Sequence, residues 1–144
     1  MSIYTKRLIV ASQLFMAQVK IFALKQELNA NRKLISDSIH SAVVTALNYP
    51  LEKKFHRFFP MNPQDFVYPQ DRSQRYTIIE ISLFKGRSVQ AKKSLVRQLF
   101  RNFQDNLDIS PNDLEITLFE SPKEHWGIRG VSGDELQLKY QVNV

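Results

Sequence analysis

The chain contains no cysteine. That excludes disulfides, thiolate nucleophiles and cysteine-based metal sites, and leaves the compartment open. No stretch approaches the roughly 20 consecutive apolar residues that a membrane-spanning helix needs. The histidines, His40, His56 and His125, are scattered without metal-ligand spacing, so no metal site is expected. No Gly-rich phosphate loop or Ser-His-Asp arrangement stands out, and no cofactor is expected. Glycine is scarce, at 4 of 144 residues, while 43% of residues are hydrophobic. This is an ordinary globular composition, long enough for one domain with a sizeable core. What the chain does have is positive charge: 20 Lys and Arg against 14 Asp and Glu give +6. Such a surface favours anions, with small carboxylates, nucleic acid and acidic membranes all open.

The most informative stretch is 77–103, TIIEISLFKGRSVQAKKSLVRQLFRNF. Ile78, Ile79, Ile81 and Leu83 form a nearly continuous apolar run, as in a central strand covered on both faces. Gly86 suits a tight strand-to-helix turn, and Ser88 is a good helix N-cap. Ala91, Leu95, Val96, Leu99, Phe100 and Phe103 then recur at helical spacing. Lys85 and Arg87 therefore sit where a strand ends and a helix begins, a place where α/β proteins hold small anions.

An earlier stretch repeats this plan. Val19–Leu24 is a strand candidate, and Asn29 or Asn31 can cap the helix after it. The apolar face of that helix is Leu34, Ile35, Ile39, Ala42, Val43, Ala46 and Leu47, and Tyr49-Pro50 ends it. Lys25 and Lys85 lie 60 residues apart, as do Ile35/Leu95, Ile39/Leu99, Val43/Phe103 and Leu47/Leu107. A strand follows each helix, Phe55–Phe59 and Leu114–Glu120. The fold class is thus α+β: two β-α-β repeats making a four-stranded sheet with both helices on one face. The alternation of Leu136, Leu138, Tyr140, Val142 and Val144 adds a C-terminal strand that could pair with a neighbouring subunit. Residues 60–75, rich in Pro and polar residues, read as a long irregular connection. Residues 1–16 read as an N-terminal extension to a domain spanning 17–144. The extension is an edge strand or an arm, a signal-like segment, or a stretch upstream of a true start at Met16.

Three stretches carry a resemblance: MAQVKIF at 16–22, AVVTALNYP at 42–50 and DLEITLFESPKEHWGIRG at 113–130. Their order and spacing resemble the tautomerase superfamily, in particular its malonate semialdehyde decarboxylase-like branch. The resemblance implies trimers with pockets near subunit boundaries and chemistry on small 2-oxo acids, 3-oxo acids or enols. It also implies an amino-terminal proline as base or acid, with arginines gripping the substrate carboxylate. Here the proline's position is Ala17, whose nitrogen is an amine only if Ala17 is N-terminal. The acidic position after the first helix falls on Lys53, and the two arginine positions fall on Lys85 and Arg87.

These features together suggest a protein that binds a small oxo acid or enol carboxylate, with weak or divergent tautomerase or decarboxylase-like activity. Ala17 is the catalytic candidate, and Arg87, Lys85, Arg57 and Trp126 are the substrate-binding candidates. The expected setting is a cytoplasmic homotrimer with a small carboxylate ligand and without membrane or nucleic-acid partners. The alternative is a non-catalytic binding or assembly protein on the same fold. A basic stripe of Lys93, Arg97 and Arg101 reads as a solvated helix face.

Overall fold

The structure, a computed structural model, describes residues 16–136. Strand β1 (Ala17–Leu24) runs directly into helix α1 (Lys25–Leu47), followed by β2 (His56–Met61). The second half supplies β3 (Thr77–Phe84), α2 (Val89–Leu107) and β4 (Leu114–Ser121). A two-residue hairpin, β5 (Gly127–Ile128) and β6 (Val131–Ser132), follows. The main sheet has the order β2-β1-β3-β4, with β1 antiparallel to β3 and each outer strand parallel to its inner neighbour. The chain therefore adopts the expected pair of β-α-β units, with β1 and β3 placed 60 residues apart. The expected C-terminal strand falls at 136–144, almost wholly outside the described residues.

Both helices pack on one face of the sheet. Residues 17, 19, 21 and 23 of β1 and 79, 81 and 83 of β3 point toward them and are buried. They meet Leu28, Ile35, Ile39, Val43 and Leu47 of α1 and Leu95, Leu99, Phe103 and Leu107 of α2 in a single core. Each of the four pairs spaced by 60 residues is buried.

The opposite face is uncovered among the described residues. Strand β3 is central, but among the described residues only one of its faces is covered, and Ile78, Glu80 and Ser82 are all partly exposed. The uninterrupted apolar run at 78–79 reflects an Ile on each face rather than two helical layers. On the open face Phe22 stacks on Phe59 with ring centroids 4.6 Å apart, and Lys20 stands opposite Glu80. Phe59 and Phe119 are exposed here. Of the phenylalanines in FHRFF, only Phe58 packs against the core.

Helix α1 begins four residues before the nearer of the two expected caps. Its N-cap position is Leu24, with no side-chain cap, so the strand passes straight into the helix. Asn31 lies inside it, donating to Glu27 Oε1 at 3.2 Å. Ser88 caps α2 as expected, its hydroxyl accepting from the Ala91 N–H. The long connection is tied down rather than loose. Arg75 donates to Glu27 Oε1 at 2.8 Å and to the Leu107 carbonyl at 2.7 Å, and the Ser73 N–H donates to Asp113 at 2.7 Å. No helix among the described residues is long and apolar enough to cross a membrane.

His40 is buried on α1, and its Nε2 lies 2.6 Å from the Leu51 carbonyl. A carbonyl can only accept, so Nε2 carries the proton. His56 Nδ1 meets the Ser36 hydroxyl at 2.7 Å, and the two imidazoles sit 6.0 Å apart. Burial, then the neighbouring His40 and Lys54, push His56 down to about 4 from the ordinary 6.5. The unfolded chain therefore binds this proton first, so stability falls as pH drops from 6.5 toward 4. His56→Gln should flatten that loss, which urea midpoints measured at pH 7 and at pH 4.5 would test.

Candidate functional site

The antiparallel pairing of β1 with β3 sets Ala17 opposite Leu83. The start of the first strand thus lies beside the end of the third, and everything following β3 emerges next to Ala17. The β3–β4 ladder is extended one step by the Lys85 N–H donating to the Ser121 carbonyl at 2.9 Å. Gly86 then turns the chain at φ 126°, a conformation that side chains oppose. The turn delivers Arg87 to the C-terminus of α1, where its Nη1 donates to the Leu47 carbonyl at 2.7 Å. A cation at this end of a helix is favoured by the unsatisfied carbonyls there. Burial nevertheless pulls the Arg87 guanidinium below its usual pKa, partly opposed by Tyr49.

Tyr49, which in the sequence pattern marks only a helix end, has a second place in the structure. Asn48 closes α1 in the left-handed conformation at φ 52°, and the Tyr49 N–H donates back to the Val44 carbonyl at 3.2 Å. This geometry turns the Tyr49 ring inward until it is 4% exposed. Its hydroxyl accepts from the Ala17 N–H at 3.3 Å. Burial raises the phenol's pKa, with the Ala17 contact and the Arg87 charge opposing. One sequence signal was available. The residue 60 positions later is Ile109, buried in the core, so the repeat itself marks a polar-tipped residue at a core position.

Met16 precedes Ala17 in the described chain, its carbonyl accepting from the Phe84 N–H at 3.4 Å. The Ala17 nitrogen here is therefore a peptide nitrogen. Lys53 follows in the turn after Pro50, its N–H donating to the Pro50 carbonyl at 3.2 Å. Burial, then the nearby Arg129, lower the pKa of its amine. Arg129 belongs to the β5–β6 hairpin, where Arg129 at φ 53° and Gly130 at φ 85° form the two-residue turn. Glu120 stands in the same row as Ala17 and Leu83. Its Oε1 meets Lys92 Nζ at 2.8 Å, while Oε2 is buried without a partner among the described residues.

Trp126 packs edge-on against Phe84, 5.1 Å between centroids, in a small cluster with Met16, Leu136, Ile128 and Val131. Its Nε1 is buried without a hydrogen-bond partner among the described residues. Beside it an open groove of about 520 Å³ is lined by Trp126, Arg129, Ser132 and Glu135, among others.

Of the residues expected from sequence, Ala17, Arg87, Lys85 and Trp126 therefore gather at one end of the sheet. Arg57 does not join them. It pairs with Lys20 on the open face and donates to Gln18 Oε1 at 3.4 Å. Tyr49, Lys53, Arg129 and Glu120 complete the neighbourhood.

A family profile of tautomerase enzymes matches residues 53–129. A 2-hydroxymuconate tautomerase of Comamonas testosteroni is 32% identical over 57 residues, covering 40% of this chain and 90% of that one. Among solved structures, a malonate semialdehyde decarboxylase aligns with a TM-score of 0.74 at 20% identity, covering 85% of this chain and 97% of that chain. A fused 4-OT trimer aligns with a TM-score of 0.74 at 17% identity, covering 83% and 98%. A member of the cis-3-chloroacrylic acid dehalogenase family gives 0.68 at 16% identity, covering 87% and 99%. At these identities the structural matches establish the fold.

The Trp126 environment rests on Gly133, whose N–H donates to the Trp126 carbonyl at 2.8 Å. A Cβ at this position would run into the Lys123 carbonyl and crowd the Phe84 ring. Gly133→Ala should cost about 1–3 kcal/mol and shift the emission of the chain's single tryptophan. Urea unfolding followed by that fluorescence checks both.

Proposed function

The chain belongs to the tautomerase family, and from that premise we propose that it binds a small oxo acid or enol carboxylate at the end of the sheet where β1 begins. The observation that carries this reading is the half-buried Arg87 guanidinium, fixed by the Leu47 carbonyl beside Tyr49 and Ala17. A guanidinium that has lost part of its hydration gains most from a carboxylate, which replaces the lost solvation and offers two parallel acceptors. Lys85, exposed at the same turn, adds a point charge, and Trp126 screens the site from water.

On this reading tautomerase or decarboxylase-like chemistry takes place on the held carboxylate. Ala17 contributes an amine in any form of the protein that begins at that residue. An unperturbed α-amine has a pKa of about 7.7–8.0, within reach of base or Schiff-base chemistry. The open sheet face, with Phe59 and Phe119 exposed, supports assembly of subunits through that face into a homotrimer. Arg57 lies on the same face, so its part in carboxylate binding would be played at a subunit boundary. A cytoplasmic setting belongs to the same proposal.

A second reading, a non-catalytic binding or assembly protein, is favoured by one observation. The Ala17 nitrogen is a peptide nitrogen, which cannot serve as a base. Turnover separates the two: Arg87-dependent conversion of any enolisable oxo acid removes the second reading.

The direct test is calorimetric titration with pyruvate and 2-oxobutyrate. Arg87→Ala should abolish saturable binding, and Arg87→Lys should retain part of it because charge remains without the bidentate fork. Binding unchanged in Arg87→Ala would refute the proposal. Intact mass of the untagged protein from its native source tests the role of Ala17. A mass beginning at Ala17 supports the amine, and a mass retaining the preceding residues removes it.

A further inference from the structure

Ala17 has a peptide nitrogen in this chain, and the side chain that meets it is Tyr49, through its hydroxyl. A phenol has one donor and two acceptor lone pairs. The Ala17 N–H occupies one lone pair at 3.3 Å, and among the described residues no group accepts the phenol's own proton. The ring is 96% removed from solvent, at 4% exposure. A buried donor without an acceptor is costly, and its cost is recovered when a ligand oxygen arrives.

We propose that the Tyr49 hydroxyl donates a hydrogen bond to the carbonyl or enolate oxygen of the bound oxo acid while Arg87 holds its carboxylate. This rests on the reading of the site as an oxo-acid site and goes beyond it by naming the group that meets the reacting oxygen. Burial keeps the phenol protonated through neutral pH, so it acts as a donor and not as a base. The Ala17 N–H polarises it further, since a hydroxyl that accepts a hydrogen bond at oxygen is held in place to give its own proton.

A donor of this kind is sufficient for one reaction class that needs no base from the chain. When a 3-oxo acid loses CO2, the bond between the carboxylate carbon and the α-carbon breaks. Its electron pair passes into the enolate, and the charge comes to rest on the oxygen that Tyr49 faces. Water then returns a proton to the α-carbon, and the phenol remains intact throughout. Hydrogen bonds aimed where charge develops are among the largest contributions a site makes to such a step.

The test uses two probes: oxalate, a planar mimic of an enolate carboxylate, and propionate, which offers a carboxylate alone. Tyr49→Phe keeps the ring and removes the hydroxyl. It should weaken oxalate by about ten- to a hundredfold, as expected for a hydrogen bond to a charged oxygen, and leave propionate within about twofold. Arg87→Ala should weaken both. A ring-fluorinated tyrosine at position 49, with a more acidic phenol, should move the alkaline limit of oxalate binding downward. A merely structural ring would not move that limit. Tyr49→Phe binding oxalate as the wild type does, or an unmoved limit, overturns the proposal and leaves the oxo-acid reading standing. Wild-type protein that binds neither probe overturns both.

Discussion

The antiparallel pairing of β1 with β3 is the constraint on which the rest of this structure depends. Each β-α-β unit is parallel within itself, so its helix must cross from one end of the sheet to the other. Joining two such units through their first strands makes the sheet pseudo-symmetric, with Ala17 facing Leu83 at one end and Ala23 facing Thr77 toward the other. Chain segments that are 60 to 70 residues apart in sequence then emerge side by side. The same pairing lays both helices on one face, where Ile39, Leu99 and Phe103 close a common core. A register slip of one residue would turn Ala17, Val19 and Ile21 out of that core. The site is therefore held by the burial of the whole inner face.

The repeat is broken where the site forms. Residues Lys25 to Leu28 and Lys85 to Ser88 are counterparts by position, yet the first set is a helical turn and the second is a loop. Gly86 at φ 126° and the Ser88 cap account for the difference. Delaying the helix by four residues frees Arg87 from a helical surface and lets it reach the carbonyl of Leu47. In the first half the extra helical turn buries Glu27 and Leu28, and Glu27 instead anchors Arg75. One half spends its junction on stability, the other on placing a cation.

Much of this was legible in the sequence, because 60-residue spacing and helical periodicity report core positions directly. The strand–turn–helix around Lys85 and Arg87 was legible for the same reason: glycine, serine and the apolar pattern agree there. Other features were hidden by kinds of information that a pattern does not contain. The face on which Arg57 lies depends on strand parity, which shows only once Lys20 is known to be its partner. The start of α1 carries no capping side chain, so the nearby asparagines misled. Tyr49 looked like punctuation before Pro50, and its inward turn is set by a left-handed Asn48 that local sequence does not announce.

Tyr49 and Arg87 also constrain one another. Burial disfavours charge on both, raising the phenol and lowering the guanidinium, while each in its ionised form would relieve the other. The phenol stays neutral because burial outweighs the opposing Ala17 contact and Arg87 charge. The result is a neutral donor beside a fixed cation. On the oxo-acid reading proposed above, that combination would complement a carboxylate that also carries a carbonyl or enolate oxygen better than a simple carboxylate, since each group of the ligand would meet a different partner. Lys53 and Arg129 add positive charge at the same end of the sheet, and burial, then the neighbouring Arg129, lowers the pKa of the lysine amine. On the same proposed reading, a ligand that carries negative charge would ease both the lowered lysine and the lowered arginine, and a neutral one would ease neither.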